Sequence, residues 1–218
     1  MAPTQLIWRG GGLTCVIAGV LLATGQITNL LGGDTQFGTV VGGNLIHIAH
    51  LLLIFALISL YSAQARRSGI LGVLGTAMGI IGTSLIVTIV FVNTAGAYSV
   101  RVPPNGNGSP VRSTVPEATE WILDSVYSVL GPPIFTIGLI VFGLATVRAG
   151  RFPPGVGALL VLGAALAFLG CPLSYVYACA VTFGRGAYIL FVLGTVLIGV
   201  GFAWLGFLLL FERRRRAA

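Results

Sequence analysis

Six stretches of the 218-residue chain run for 19 to 27 residues each and hold a single charged side chain between them, Asp124. They lie at approximately 13–31, 43–61, 70–92, 121–147, 155–177 and 187–211. Crossing a hydrocarbon core of about 30 Å takes about 20 apolar residues as helix, because every backbone N–H and C=O must find its partner within the segment. Strands of a membrane barrel are about ten residues of alternating polarity, which none of the six resembles. The expected fold is therefore all-α: an integral membrane bundle of six transmembrane helices in one domain, 1–218. Only 8% of residues are charged, against about 25% in a soluble domain, so a water-soluble helical bundle is excluded.

The cations are twelve arginines and no lysine, against five acids, for a net charge of +7. Without lysine the chain has no Walker A phosphate loop, no imine to pyridoxal phosphate or retinal, and no Ser-Lys dyad. Arginine also orients the bundle, since cytoplasmic loops retain positive charge. Arg9, Arg66, Arg67, Arg148, Arg151, Arg213, Arg214, Arg215 and Arg216 fall on one side of a six-span chain, and Arg101, Arg112 and Arg185 on the other. Both termini are then cytoplasmic, N-in and C-in, with Asp34, Glu117, Glu120 and Asp124 outside. Arg9 followed by an apolar run has the outline of a cleaved leader, but five remaining spans would no longer account for the arginine division.

Connections are short except for an external loop, 93–120, whose Pro103-Pro104-Asn105-Gly106-Asn107-Gly108 is dense in turn formers. Thr114 and Glu117 have capping-box spacing with Pro116 between them, so a helix is expected to start there and run into the fourth span. Pro132 and Pro133 interrupt that span and Pro172 the fifth. Each removes an amide donor, so the fourth and fifth helices are expected to be kinked. Span three carries Gly72, Gly75, Gly79 and Gly82 at steps of three and four. Such a face lets backbones approach closely, either within the bundle or against another membrane protein or a second copy. A faint repeat at an offset of about 80 residues relates Arg66-Arg67-Ser68-Gly69 to Arg148-Ala149-Gly150, each followed by a glycine-rich span.

Polar residues are sorted by depth. Gln26, Thr28 and Asn29 end span one, Asn44, His47 and His50 open span two, Thr83, Ser84 and Thr88 close span three, and Cys171, Ser174 and Tyr175 flank Pro172. The inner halves hold little beyond Ser59, Tyr61 and Thr76. Polar groups are costly in hydrocarbon unless paired, so Gln26, Asn29, Asn44, His47, His50, Thr88, Cys171, Ser174 and Tyr175 form a candidate outer-half pocket, either wet or a packed network. His47 and His50, spaced i and i+3, are weak candidates for a metal. Both rings come from one helix and no cysteine pair has ligand spacing, so neither a haem nor a closed zinc site is expected, and no cofactor. In continuous helix, Cys171 and Cys179 would be about 12 Å apart, too far for a disulfide unless the helix unwinds after Pro172.

The block His47-Ile48-Ala49-His50, Leu60-Tyr61-Ser62-Ala63-Gln64-Ala65, Ser68-Gly69-Ile70-Leu71-Gly72 and Gly79-Ile80-Ile81-Gly82 resembles small, uncharacterised multi-pass membrane proteins of GC-rich bacteria. The resemblance covers about a sixth of the chain and implies a bacterial plasma (inner) membrane and a six-helix fold; it transfers no catalytic residue. The expected function is a non-enzymatic accessory or sensory component with a polar pocket in the outer leaflet. A small permease or carrier is the alternative, and a membrane-embedded metalloenzyme a third. The expected partners are the bilayer, with anionic lipid at Arg213, Arg214, Arg215 and Arg216, and no nucleic acid.

Overall fold

A computed structural model describes residues 3–32, 36–99, 117–176 and 184–211, with side chains described for 10–32, 38, 40–88, 91, 130–170 and 186–211. Among the described residues the protein is all-helical: α1 (Pro3–Gly32), α2 (Gln36–Ser99), α3 (Glu117–Ala149), α4 (Pro154–Val176) and α5 (Gly184–Phe211). Four contain stretches long and apolar enough to cross a membrane: Gly10–Gly32, Val40–Thr88, Leu130–Ala149 and Gly186–Phe211. Pro154–Gly170 is a shorter apolar helix among the described residues.

The 64 residues of α2 do not form one rod. Gly69 takes φ 58° and ψ −152°, a conformation that only glycine adopts readily, and the helical path breaks there. The two limbs, 36–68 and 70–99, fold back on each other: a Cβ on Gly79 would lie 3.0 Å from a Leu57 methyl, and one on Gly72 3.4 Å from the Tyr61 ring. In a straight helix, Leu57 and Gly79 would be about 33 Å apart. Gly150, at φ 60°, makes the corresponding turn between α3 and α4, its amide donating to the Val147 carbonyl at 3.2 Å in the manner of a C-cap glycine.

Close backbone approach sets the rest of the packing. Gly75 faces Phe142, Gly79 faces Gly138 and Gly82 faces Phe135, so the second limb and α3 run antiparallel in constant register. A Cβ on Gly75 would sit 2.5 Å from the Phe142 nitrogen. The glycine face expected in this segment is thus filled from within the chain, Gly75 and Gly82 meeting α3, Gly72 the first limb, and Gly79 both. The same antiparallel pairing joins Gly25 to Ile46, Gly143 to Leu160, Gly163 to Ile198 and Gly19 to Ala203. The helices form a closed ring in chain order, with α5 returning to α1. Leu22, Leu53, Leu57, Leu60, Leu139, Phe142, Leu160, Ile198, Phe202 and Leu205 fill its centre, while Phe55, Ile70, Leu144, Leu162 and Phe207 are exposed. An apolar exterior of that kind suits lipid rather than water.

Gly12 lies against Gly206, Gly11 against Ser59, and the Arg151 guanidinium donates to the Ala63 carbonyl. The start of α1, the Gly69 turn, the Gly150 turn and the end of α5 therefore share one end of the bundle, called here the inner end. Several boundaries differ from the sequence expectation. The helix after span two runs on to Ser68, α2 extends to Ser99, and α1 starts at Pro3. The backbone of α3 stays helical through Pro132 and Pro133, and that of α4 through residue 172. Residues 100–116 and the tail 212–218, with Thr114, Pro116 and the Arg213–Arg216 run, lie outside the described residues.

Candidate functional site

The first limb of α2 brings the polar groups of the outer end together, because Asn44, His47 and His50 fall three residues apart on one side of the helix. His50 is 3% exposed and packs on Phe135 of α3, ring centroids 5.6 Å apart. Its Nδ1–H donates to the Ile46 carbonyl at 2.8 Å, which leaves Nε2 as the acceptor. His47 is half-buried and lies 5.9 Å from the Phe91 ring, toward the outer end of the second limb. Its Nδ1 is sealed from solvent and has no hydrogen-bond partner. The Thr83 hydroxyl, fully buried on the second limb, is likewise without a partner.

Most remaining members of the group are anchored to their own helices. Asn44 Nδ2 donates to the Val40 carbonyl at 2.8 Å, Thr88 Oγ1 to the Ser84 carbonyl at 3.2 Å and Ser84 Oγ to the Ile80 carbonyl at 2.9 Å. Back-bonding of this kind satisfies a hydroxyl or amide without a neighbouring helix. Asn29 reaches across from α1: a Cβ on Gly42 would lie 2.8 Å from its Oδ1, so the amide occupies space that glycine leaves open. Gln26 is buried at the same level, opposite the start of the first limb. The structure therefore gathers Gln26, Asn29, Asn44, His47, His50 and Thr88 at one end. The side chains of Cys171, Ser174 and Tyr175 lie outside the described residues. Pro132 and Pro133 sit half-buried near this end, and the Thr136 hydroxyl donates to both of their carbonyls, at 2.8 and 3.1 Å. Among the described residues no group of three or more His, Cys, Asp or Glu converges, so His47 and His50 have no third ligand of those types there.

The inner end departs from the expectation that it is nearly apolar. Gln64 is 1% exposed, Ser68 3% and Thr146 1%. Gln64 Nε2 donates to Thr146 Oγ1 at 3.1 Å, and Thr146 passes the chain on to the Phe142 carbonyl at 2.9 Å. Gln64 Oε1 and Ser68 Oγ are sealed and without partners, the hydroxyl lying against Gly72. Above them Arg151 bonds to the Ala63 carbonyl, its guanidinium 5.9 Å from the centroid of the Phe152 ring. Arg66, Arg67 and Arg148 are exposed at the same end. Among the described side chains every formal charge is one of these four arginines. Sequence reading missed this cluster because Ser62, Gln64, Arg66, Arg67 and Ser68 together read as a loop. Its one legible sign was the i, i+4 spacing of Gln64 and Ser68, which places both on a single helix face.

No family model, no curated protein and no solved structure matches the chain.

Proposed function

We propose that this chain is a multi-pass protein of a bacterial plasma membrane, crossing it six times with both termini inside, and that it acts as a non-enzymatic sensory or accessory component through a polar pocket in its outer half. Support for six crossings comes from α2. Its apolar stretch Val40–Thr88 has 49 residues, about 74 Å as a straight helix and more than twice the thickness of a bilayer core. The break at Gly69 divides it into two lengths that each suit one crossing. Support for the orientation comes from Arg66, Arg67, Arg148 and Arg151, which share an end with the start of α1 and the end of α5. The Arg213–Arg216 run would then meet anionic lipid at the cytoplasmic face.

The observation that carries the pocket is His47: a half-buried imidazole with one nitrogen unpaired, beside a second histidine whose hydrogen bond is already made. With Gln26, Asn29, Asn44 and Thr88 around it, the pocket offers uncharged donors and acceptors. That donor set fits a small neutral polar solute or a polar segment of a membrane partner. Bends at Pro132, Pro133 and Pro172 would widen it. Because the glycine face of the second limb is occupied by α3 and the first limb, a partner or second copy would dock on the lipid-facing surface. Labelling of single cysteines with an impermeant thiol reagent from outside tests the pocket. Reaction at 44 and 47 with protection at 50 is expected; protection at all three would end the proposal.

A second reading, a small carrier, is favoured by the two hinge glycines. Gly69 and Gly150, separated by 81 positions, are the two positive-φ residues among those described, and each precedes a glycine-rich helix. Parallel repeats of this kind place substrates between the halves. Solute flux in proteoliposomes that falls when Pro132, Pro133 or Pro172 is replaced by alanine supports the carrier, and flux indifferent to all three contradicts it.

A further inference from the structure

The inner polar cluster lies at the far end of the same helical limb that carries the outer histidines. We infer that it is a latch: a closed contact holding the first limb of α2 against α3 and the α3–α4 turn, whose release lets the limb swing about Gly69.

The contacts that close it all run between these pieces. Gln64 of the first limb bonds to Thr146 of α3, and Arg151 of the turn bonds to the Ala63 carbonyl of the first limb. The closure is incomplete. Ser68 Oγ has no partner, and whichever way the Gln64 amide is turned, one of its two polar ends has none. Neither atom can be reached by solvent while the contact is closed. Opening hydrates both, so each orphan shifts the balance toward the open form by about fivefold to a hundredfold, while the cross-bonds pull the other way. A fully satisfied cluster would hold the closed form far more firmly. One satisfied on one side only, in a sealed site, leaves the two forms within reach of each other.

The packing also says which part moves. The second limb is locked to α3 by Gly75, Gly82 and Gly138, where the backbones meet with no side chain between them. The first limb has no such lock on α3, which it meets through side chains, at His50 with Phe135 and at Gln64 with Thr146. Its backbone lock is on α1, at Gly25 and Gly42, so α1 moves with it. Its connection to the second limb is Gly69, around which a Cβ would meet nothing within 4 Å, so the hinge turns in open space. From Gln64 to His47 the limb is continuous helix, a lever of about 26 Å. Release at the inner end therefore moves the outer polar group. The latch does not depend on what the pocket binds, and its test reads the inner end directly.

Spin labels at Ser62 and Arg148, both exposed, report the gap across the latch by pulsed electron resonance. The chain, with Cys15, Cys171 and Cys179 replaced, is placed in lipid nanodiscs. Ile48 and Leu130, exposed near the outer end, read the far end of the lever and are expected to broaden with the inner pair. Ile81 and Ile137, exposed on the second limb and α3 where those two are locked together, form a reference pair. Thr146→Val and Arg151→Ala are expected to raise the long-distance population of the inner pair at least fivefold. Ser68→Ala, which removes an orphan, is expected to lower it. The reference pair keeps narrow distributions in every variant. Inner-pair distances indifferent to all three changes would overturn the latch. So would equal broadening at the inner and reference pairs, the mark of general loosening, or Ser68→Ala acting in the same direction as Thr146→Val.

Discussion

Three glycines separate backbone conformation from packing. Around Gly69, Gly150 and Gly155 an added Cβ would meet nothing within 4 Å, so alanine at any of them costs no steric overlap with a neighbour. They differ in dihedral angles. Gly69 has φ 58° with ψ −152°, in a region nearly closed to residues with a Cβ, so Gly69→Ala should destabilise by about 1–3 kcal/mol. Gly150, at φ 60°, caps α3, and alanine there should cost about 1–2 kcal/mol. Gly155 lies in the first turn of α4 without a positive φ, and alanine should stabilise by about 0.4–1 kcal/mol through the entropy of the unfolded chain. Reversible unfolding in mixed micelles, with helicity followed as the denaturing detergent is raised, measures all three. The expected order of stability is Gly155→Ala, wild type, Gly150→Ala, Gly69→Ala. If Gly69→Ala matched Gly155→Ala, the limbs of α2 would not meet through this turn and the folded-back arrangement would fail.

Other substitutions probe packing and polar satisfaction. Gly82→Ala drives a Cβ into the Phe135 backbone and should cost about 1–3 kcal/mol, whereas Gly10→Ala, with open space, should not destabilise. The same unfolding assay reads both. Thr83→Val keeps the side-chain shape and removes a buried hydroxyl without a partner, so it should stabilise by about 1–3 kcal/mol; a loss of stability would reveal a partner for that hydroxyl. Thr146→Val leaves the Gln64 amide without its bond and should destabilise by a similar amount, with partial recovery on adding Gln64→Leu in a double-mutant cycle.

The long apolar runs made helices legible from sequence, since helix is the form in which a segment satisfies its own backbone in lipid. Their ends were harder to place. Ser62, Gln64, Arg66, Arg67 and Ser68 look like a loop, yet the helix continues through them because Ser62, Arg66 and Arg67 point outward while Gln64 and Ser68 turn in. The glycine steps in 72–82 showed a packing face but not that it serves two neighbours, Gly75 and Gly82 meeting α3, Gly72 the first limb, and Gly79 both. Depth sorting grouped the polar residues from Gln26 to Thr88 as one candidate set. It could not show that Asn44, His50 and Thr88 bond to carbonyls of their own helix, because that choice depends on rotamers. Gln64 and Thr146 stand 82 positions apart, and only the antiparallel register of the helices brings them together.

The claim on which the rest stands is that α2 turns back at Gly69, so that its arginines and those of the α3–α4 turn share one end of the bundle, the end proposed as cytoplasmic. Single cysteines at positions 67, 107 and 148, in a chain with Cys15, Cys171 and Cys179 replaced, can be challenged with an impermeant maleimide on intact cells and again after permeabilisation. The account predicts that 107 is labelled on intact cells and that 67 and 148 react only after the membrane is opened. Labelling of 67 from outside, or protection of 67 under both conditions as in a single rod buried at mid-membrane, would contradict it.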